Sequence, residues 1–226
     1  MRYKTVIDTI GVRIECSSSY EQREILDQLL SYVRNNHTSF FIKYRDNIIN
    51  DITGSFNREH FIYGNGKTLA SITTMSFQVG ESRNQTVYYI KIIFAGLKSY
   101  HDLTDNLSLI CMLSICSWLS SKGINLRLSE LDVAIDIESF FENILVLPVK
   151  RVPNVNYYKP DEEQPYEQTA YMEKISINRK DHVSSRAYLY NKQDKEGLAD
   201  EIITRFELKL QTAFFNNKSN DFYEIL

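Results

Sequence analysis

Three stretches in the second half of the chain set ionisable and nucleophilic side chains at every second residue. In Glu130-Leu131-Asp132-Val133-Ala134-Ile135-Asp136-Ile137, an extended backbone sends Val133, Ile135 and Ile137 to one side and Asp132, Ala134 and Asp136 to the other. Ala134, small and set between two carboxylates, leaves room for something to approach. Thr204 to Leu210 sorts in the same way, with Phe206, Leu208 and Leu210 on the apolar face and Arg205, Glu207 and Lys209 opposite. From Arg186 to Lys192, the residues Arg186, Tyr188, Tyr190 and Lys192 line up, with Ala187 and Leu189 behind them.

Gathered on one sheet surface, these faces bring together two Asp, one Glu, two Tyr and several cations. Carboxylate oxygens suit Mg²⁺ or Mn²⁺, which are hard cations. A divalent ion beside a tyrosine and an arginine makes a site for phosphodiester transfer. The ion draws charge from the phosphoryl oxygens, the phenol oxygen attacks, and Arg or Lys offsets the charge that develops. The same alternation also describes the solvent faces of ordinary amphipathic strands with Asp and Arg paired across the sheet. Spacing alone leaves both readings open.

The elements that must hold these residues are strands, with helices elsewhere in the chain. Thr5 to Glu15 alternates as an opening strand. Ser19 to Asn35 reads as a helix with a Ser cap and Ile25, Leu29 and Val33 on one stripe. Gly64-Asn65-Gly66 signals a turn, and Thr68 to Val79 with Thr86 to Phe94 form a hairpin across residues 80–84. His101 to Lys122 is expected to be a long helix stopped by Gly123. Strands are expected at Arg127 to Ile137, Gln168 to Asn178, Ser185 to Asn191 and Ile202 to Gln211, with short helices at Glu138 to Leu145 and from Thr212. All four prolines fall within 148–167, which is expected to be an extended connection. The fold class is α+β: mostly antiparallel sheets with helices packed on one face. Residues 1–226 are expected to form one domain, with two sheet-plus-helix halves of about 1–125 and 126–226 as the alternative.

Composition narrows the function. With 226 residues, 43% apolar and 24% charged, the chain is neither disordered nor collagen-like and is long enough to bury a core. No apolar run reaches a membrane span, and Met1 to Thr5 lacks the apolar stretch of a signal peptide, so a cytoplasmic protein is expected. Cys16, Cys111 and Cys116 are an odd set without CxxC spacing and read as buried free thiols. His37, His60, His101 and His182 are isolated, which argues against nicking enzymes built on a His-hydrophobe-His metal motif. Gly64-Asn65-Gly66-Lys67-Thr68 lacks the spacing of a phosphate loop. The 15 Tyr and 12 Phe suit half-buried sheet surfaces and could also serve as stacking platforms for bases. The net charge of −3 opposes a broadly basic nucleic-acid surface. Locally, however, Lys174, Arg179, Lys180, Arg186 and Lys192 face only Asp181 in sequence.

The segments LDVAIDI, RAYLYNK and ITRFELKL, in that order, resemble the Rep_trans family of plasmid and phage rolling-circle replication initiators and related conjugative-element relaxases. The resemblance covers roughly residues 127–211, with a weaker likeness of layout around TIGVRIE. It departs from the family pattern at Ser129-Glu130, where an Arg often precedes the first Asp, and at residues 178–182, which replace a Gly-Ser turn.

The resemblance implies that Tyr190 is the nucleophile, with Tyr188 on the same face as the alternative. It implies Asp132, Asp136 and Glu207 as ligands of Mg²⁺ or Mn²⁺, and Arg186, Lys192 and Arg205 as the groups that handle phosphate, with Lys209, Arg179 and Lys180 as further DNA contacts. The implied reaction is metal-dependent nicking of one origin strand through a 5′-phosphotyrosine, with a free 3′-OH for a polymerase and rejoining without ATP. DNA is the implied partner, unpaired or extruded as a hairpin at the nick, together with a homodimer and host helicase and polymerase. A conjugative relaxase shares this chemistry. A non-catalytic DNA-binding regulatory protein on the same scaffold, or a sheet that binds a protein partner, is the reading from another class.

Overall fold

The computed structural model describes residues 3–46, 58–79, 85–97, 106–140, 155–158, 171–175, 183–192 and 202–215. The chain divides into two compact units, one of residues 1–8 and 130–219, the other of residues 9–129 and 220–226. The fold class is α+β with antiparallel sheets, as expected.

The second of these units is built on strands β1 (Tyr3–Cys16, of which residues 9–16 belong here), β2 (Phe41–Asp46), β3 (Arg58–Gly64), β4 (Lys67–Val79) and β5 (Gln85–Ala95). They lie antiparallel in the order β2-β3-β4-β5-β1. Asn65 and Gly66, both at positive φ, turn β3 into β4, which is the backbone that a two-residue hairpin with the native strand twist requires. Helices α1 (Ser19–Asn36) and α2 (Leu107–Ser121) cover one sheet face, burying Val12, Ile14, Ile62, Ile72, Ile90 and Ile92 beneath Leu29, Val33, Ile115 and Leu119. Ser18 caps α1 by accepting from Glu21 N at 3.2 Å. Among the described residues of this unit, no helix lies on the opposite sheet face.

Helix α2 begins at Leu107 rather than His101. The Asn106 side chain accepts from Leu109 N at 3.0 Å and so caps the first turn, and residues 101–105 lie outside the described residues. Gly123 ends it at φ 71, as its position predicts. Strands β2 and β3 were not legible in the sequence.

The other unit holds residues 3–8 of β1, then β6 (Arg127–Ile137, from Glu130 on), β10 (Thr204–Leu210), β9 (Val183–Asn191), β8 (Tyr171–Ile175) and β7 (Val155–Tyr158), with the short helix α3 (Thr212–Phe215) against β9. From β6 to β7 every neighbouring pair is antiparallel. β7 lies inside the proline-rich stretch expected to be a connection; Val155–Tyr158, rich in β-branched and aromatic residues and free of proline, pairs with β8. The helix expected at Glu138 does not start there: Ser139 N donates to Ile137 O at 2.9 Å in a bend, and residues 141–145 lie outside the described residues. The predicted strands at 127–137, 185–191 and 202–211 are present as β6, β9 and β10, and the described residues of that at 168–178 form β8.

Candidate active site

Antiparallel register brings the three polar faces together. Arg205 on β10 sits opposite Asp136 on β6 and Tyr190 on β9. Glu207 lies opposite Ala134 and Tyr188, and Lys209 opposite Asp132 and Arg186. Asp132, Ala134, Asp136, Tyr190, Arg205 and Glu207 are all buried, whereas Val133, Ile135 and Ile137 are only half-buried. The polar face, not the apolar one, is the better covered side of β6. Charges tolerate such burial only when paired, and the side chains divide into two paired groups.

In the first group Asp136 is saturated. Arg205 grips it with Nε on Oδ1 at 2.5 Å and Nη2 on Oδ2 at 2.8 Å, a bidentate fork. Lys192 Nζ adds a bond to Oδ2 at 3.1 Å. Both cations are completely buried. Arg205 Nη1 also lies 3.7 Å from Asp8 Oδ2 on β1. Asp8 escaped the sequence reading, although an Asp at the alternating positions of Val6, Ile10 and Val12 was its signal.

In the second group one ammonium bridges two carboxylates. Lys209 Nζ lies 3.0 Å from Glu207 Oε1 and 3.5 Å from Asp132 Oδ2. Glu207 Oε2 accepts from the Tyr190 hydroxyl at 2.9 Å. Burial raises the Glu207 carboxyl, but the Lys209 ammonium, the two hydrogen bonds and the Arg205 charge together hold it below the usual range. Burial pushes Asp132 up to about 6 against the pull of Lys209, with Glu207 and Glu130 adding repulsion.

This donor set can be tested against a divalent cation. Among the described residues no three Asp, Glu, His or Cys side chains converge as a cage. Asp136 has both oxygens committed to Arg205 and Lys192. Asp132 and Glu207 fit better. They already share one cation, the Lys209 ammonium, whose side chain is 37% exposed and has a path outward. Two carboxylates, with water and phosphate oxygens completing the shell, are a common arrangement for Mg²⁺.

Arg186 and Tyr188 are placed on β9 by register. Arg179 and Lys180 lie outside the described residues. His37 donates to or accepts from Ser114 at 2.7 Å and stacks on Phe40, His60 is buried in the other unit, and His101 and His182 lie outside the described residues. Cys16, Cys111 and Cys116 are free and buried, as expected. No helix among the described residues is long and apolar enough to cross a membrane.

A rolling-circle replication initiator protein from Geobacillus stearothermophilus is similar in structure, with a TM-score of 0.44 and 10% sequence identity over 93% of this chain and 75% of that one. No protein-family model and no curated protein matches the chain.

Proposed function

We propose that the chain is a replication initiator that nicks and rejoins one DNA strand at an origin, for rolling-circle replication, with Tyr190 as nucleophile. The observation that carries this reading is the Tyr190 hydroxyl held on Glu207, 2.9 Å away, beside the Asp132–Lys209–Glu207 bridge. The segments around these residues are the ones that resemble the Rep_trans family.

Glu207 orients the phenol and is the immediate acceptor for its proton. A tyrosine of pKa about 10 does not surrender that proton readily to a carboxylate held below its ordinary range, so a cation close to the phenol oxygen has to stabilise the phenolate. A divalent ion held by Asp132 and Glu207 would supply that stabilisation and withdraw charge from the phosphoryl oxygens. The Tyr190 oxygen attacks phosphorus, the bond to the 3′-oxygen breaks, and that oxygen leaves as the 3′-OH with a proton. Lys209, displaced outward, and Arg186 on the adjacent strand are the groups that offset charge on the phosphate. The reverse attack by the 3′-OH reseals the strand. The Arg205–Asp136–Lys192 cluster fixes the spacing of β6, β10 and the end of β9 beneath these groups. A conjugative relaxase would use the same steps. A homodimer and the host helicase and polymerase belong to the proposal as partners.

One observation favours a non-catalytic DNA-binding protein on the same scaffold: every carboxylate of the site already has a cationic partner, and Tyr190 is only 3% exposed. The experiment that separates the two incubates labelled single-stranded oligonucleotides or supercoiled plasmid carrying candidate origins with the protein, with and without Mg²⁺ or Mn²⁺. A metal-dependent protein–DNA band that survives denaturation supports the initiator. DNA binding without such a band supports the regulatory protein.

A further inference from the structure

The face of the β2-β3-β4-β5-β1 sheet opposite α1 and α2 carries an unusual set of side chains for a solvent surface. Register aligns Phe41 with Tyr63, and Lys43 with Phe61, Ser71, Ile93 and Gly11. The next row holds Arg45, Glu59, Thr73, Lys91 and Arg13, and beyond it lie Met75 with Tyr89 and Glu15, then Phe77 with Val87. Phe41, Lys43, Arg45 and Phe77 are exposed and Phe61, Tyr63, Tyr89 and Lys91 half-buried. Their alternating neighbours Ile62, Ile72, Ile90 and Ile92 fill the core on the helix side.

The aromatic residues fall into two clusters, each with a cation on its rings. At the β2–β3 corner Phe41 and Tyr63 lie nearly parallel at 5.3 Å, with Phe61 tilted beside Tyr63 at 6.2 Å. Lys43 Nζ stands 5.6 Å from the Phe41 ring and 5.3 Å from the Tyr63 ring. Toward β5 and β1, Tyr89 has Phe77 at 6.1 Å and the Arg13 guanidinium at 5.2 Å. Two strands and four residues separate Phe61 from Tyr89, roughly 17 Å at standard sheet spacings. Ser71 and Thr73, both short, floor the space between. Along this face Arg13, Lys43, Arg45 and Lys91 outnumber Glu15 and Glu59.

We propose that this face binds single-stranded nucleic acid, with bases stacking on the two aromatic clusters and the phosphates running past Lys43, Arg45 and Lys91. Rings of any base offer a π-face, so aromatic platforms take single strands with little sequence preference, and cations placed among them meet the backbone charge. The excess of cations distinguishes the face from an apolar surface awaiting a protein. The function would be to hold an unpaired strand, and it does not depend on Tyr190 being a nucleophile.

The test is fluorescence anisotropy with a labelled 20-nucleotide oligothymidylate, without divalent metal, at low and high salt. Phe41→Ala with Lys43→Gln changes exposed positions, and Phe61→Leu removes a ring while keeping apolar volume. Circular dichroism melts check that each variant folds. Stacking is worth about 1–3 kcal/mol per base, so losing one platform should weaken binding by roughly 5- to 150-fold. Tyr190→Phe should bind the oligonucleotide as the wild type does, which keeps the outcome separate from the nicking chemistry. Folded variants of undiminished affinity would overturn the proposal. So would a wild type that binds no single strand, or variants that lose self-association or a protein partner while oligonucleotide affinity stays unchanged.

Discussion

The Tyr190 hydroxyl donates to Glu207 Oε2 at 2.9 Å along a diagonal of the sheet, not along a rung: by register Tyr190 faces Arg205, and Glu207 faces Tyr188. Arg205 offers no acceptor and donates to Asp136, so the phenol reaches one step along β10 to the Glu207 carboxylate. The two carboxylate groups of the site thereby acquire different tasks. Asp136 ties strands together through buried cations, and Glu207 shares the partly exposed Lys209 ammonium with Asp132.

That division has a consequence for stability. Asp136→Asn removes the charge that buried Lys192 and Arg205 share, leaving Arg205 the more distant Asp8 carboxylate at 3.7 Å, and breaking a buried pair in this way costs about 3–5 kcal/mol. Chemical denaturation should register that loss, with far-ultraviolet circular dichroism as the probe. Glu207→Gln retains the hydrogen-bonding shape next to the partly exposed Lys209 and should cost clearly less. Equal losses in the two variants would contradict the division.

Asp132 sets a pH dependence in the metal-free protein. Its carboxyl is raised from 3.8 to about 6 in the fold, chiefly by burial, so between those values the folded chain holds a proton that the unfolded chain has released. Stability from this group is therefore full below about pH 4 and declines as pH rises through about 6. Asp132→Asn should flatten that part of the profile and raise stability at pH 7 by about 1–3 kcal/mol. A variant less stable than wild type at pH 7 would contradict the assignment.

Lys209 occupies the position between Asp132 and Glu207. Lys209→Met removes the ammonium but keeps the length of the side chain, and should strengthen Mn²⁺ binding by about tenfold or more, as removing a competing charge nearby would. Calorimetric titration or Mn²⁺ electron paramagnetic resonance reads this without DNA. Unchanged or weaker Mn²⁺ binding would mean that the two carboxylates do not hold the ion together.

The thiols should be silent in the native state. Burial raises Cys16 to about 11 and Cys111 and Cys116 to about 12, leaving almost no thiolate at pH 8. Reaction with Ellman's reagent should be slow in buffer and should consume three thiols in denaturant. Rapid labelling of the native chain would contradict their burial.

The sequence made β6, β9 and β10 legible because strict alternation of polar and apolar residues marks a strand whichever face is buried. The alternation leaves open which side is buried. Asp132 and Asp136 look solvent-facing until Lys209, Arg205 and Lys192, 56 to 77 residues away in sequence, neutralise them. Such pairing depends on register between distant strands, which no local pattern carries. Strands β2 and β3 were missed because FIKYRD and REHFIYG mix aromatic and charged residues on both faces and show no clean period. The start of α2 was misread because Asn106, a capping residue, lies within an otherwise polar lead-in.

In the proposed reaction the Tyr190 hydroxyl supplies the oxygen of the covalent link to DNA. The most direct measurement incubates the protein with a cleavable origin strand and Mn²⁺, digests the trapped complex with protease and locates the nucleotide-bearing peptide by mass spectrometry. The nucleotide is expected on Tyr190, with roughly a thousandfold or greater loss of adduct in Tyr190→Phe and retention in Tyr188→Phe. Adduct on another residue, or full adduct formation by folded Tyr190→Phe, would contradict it.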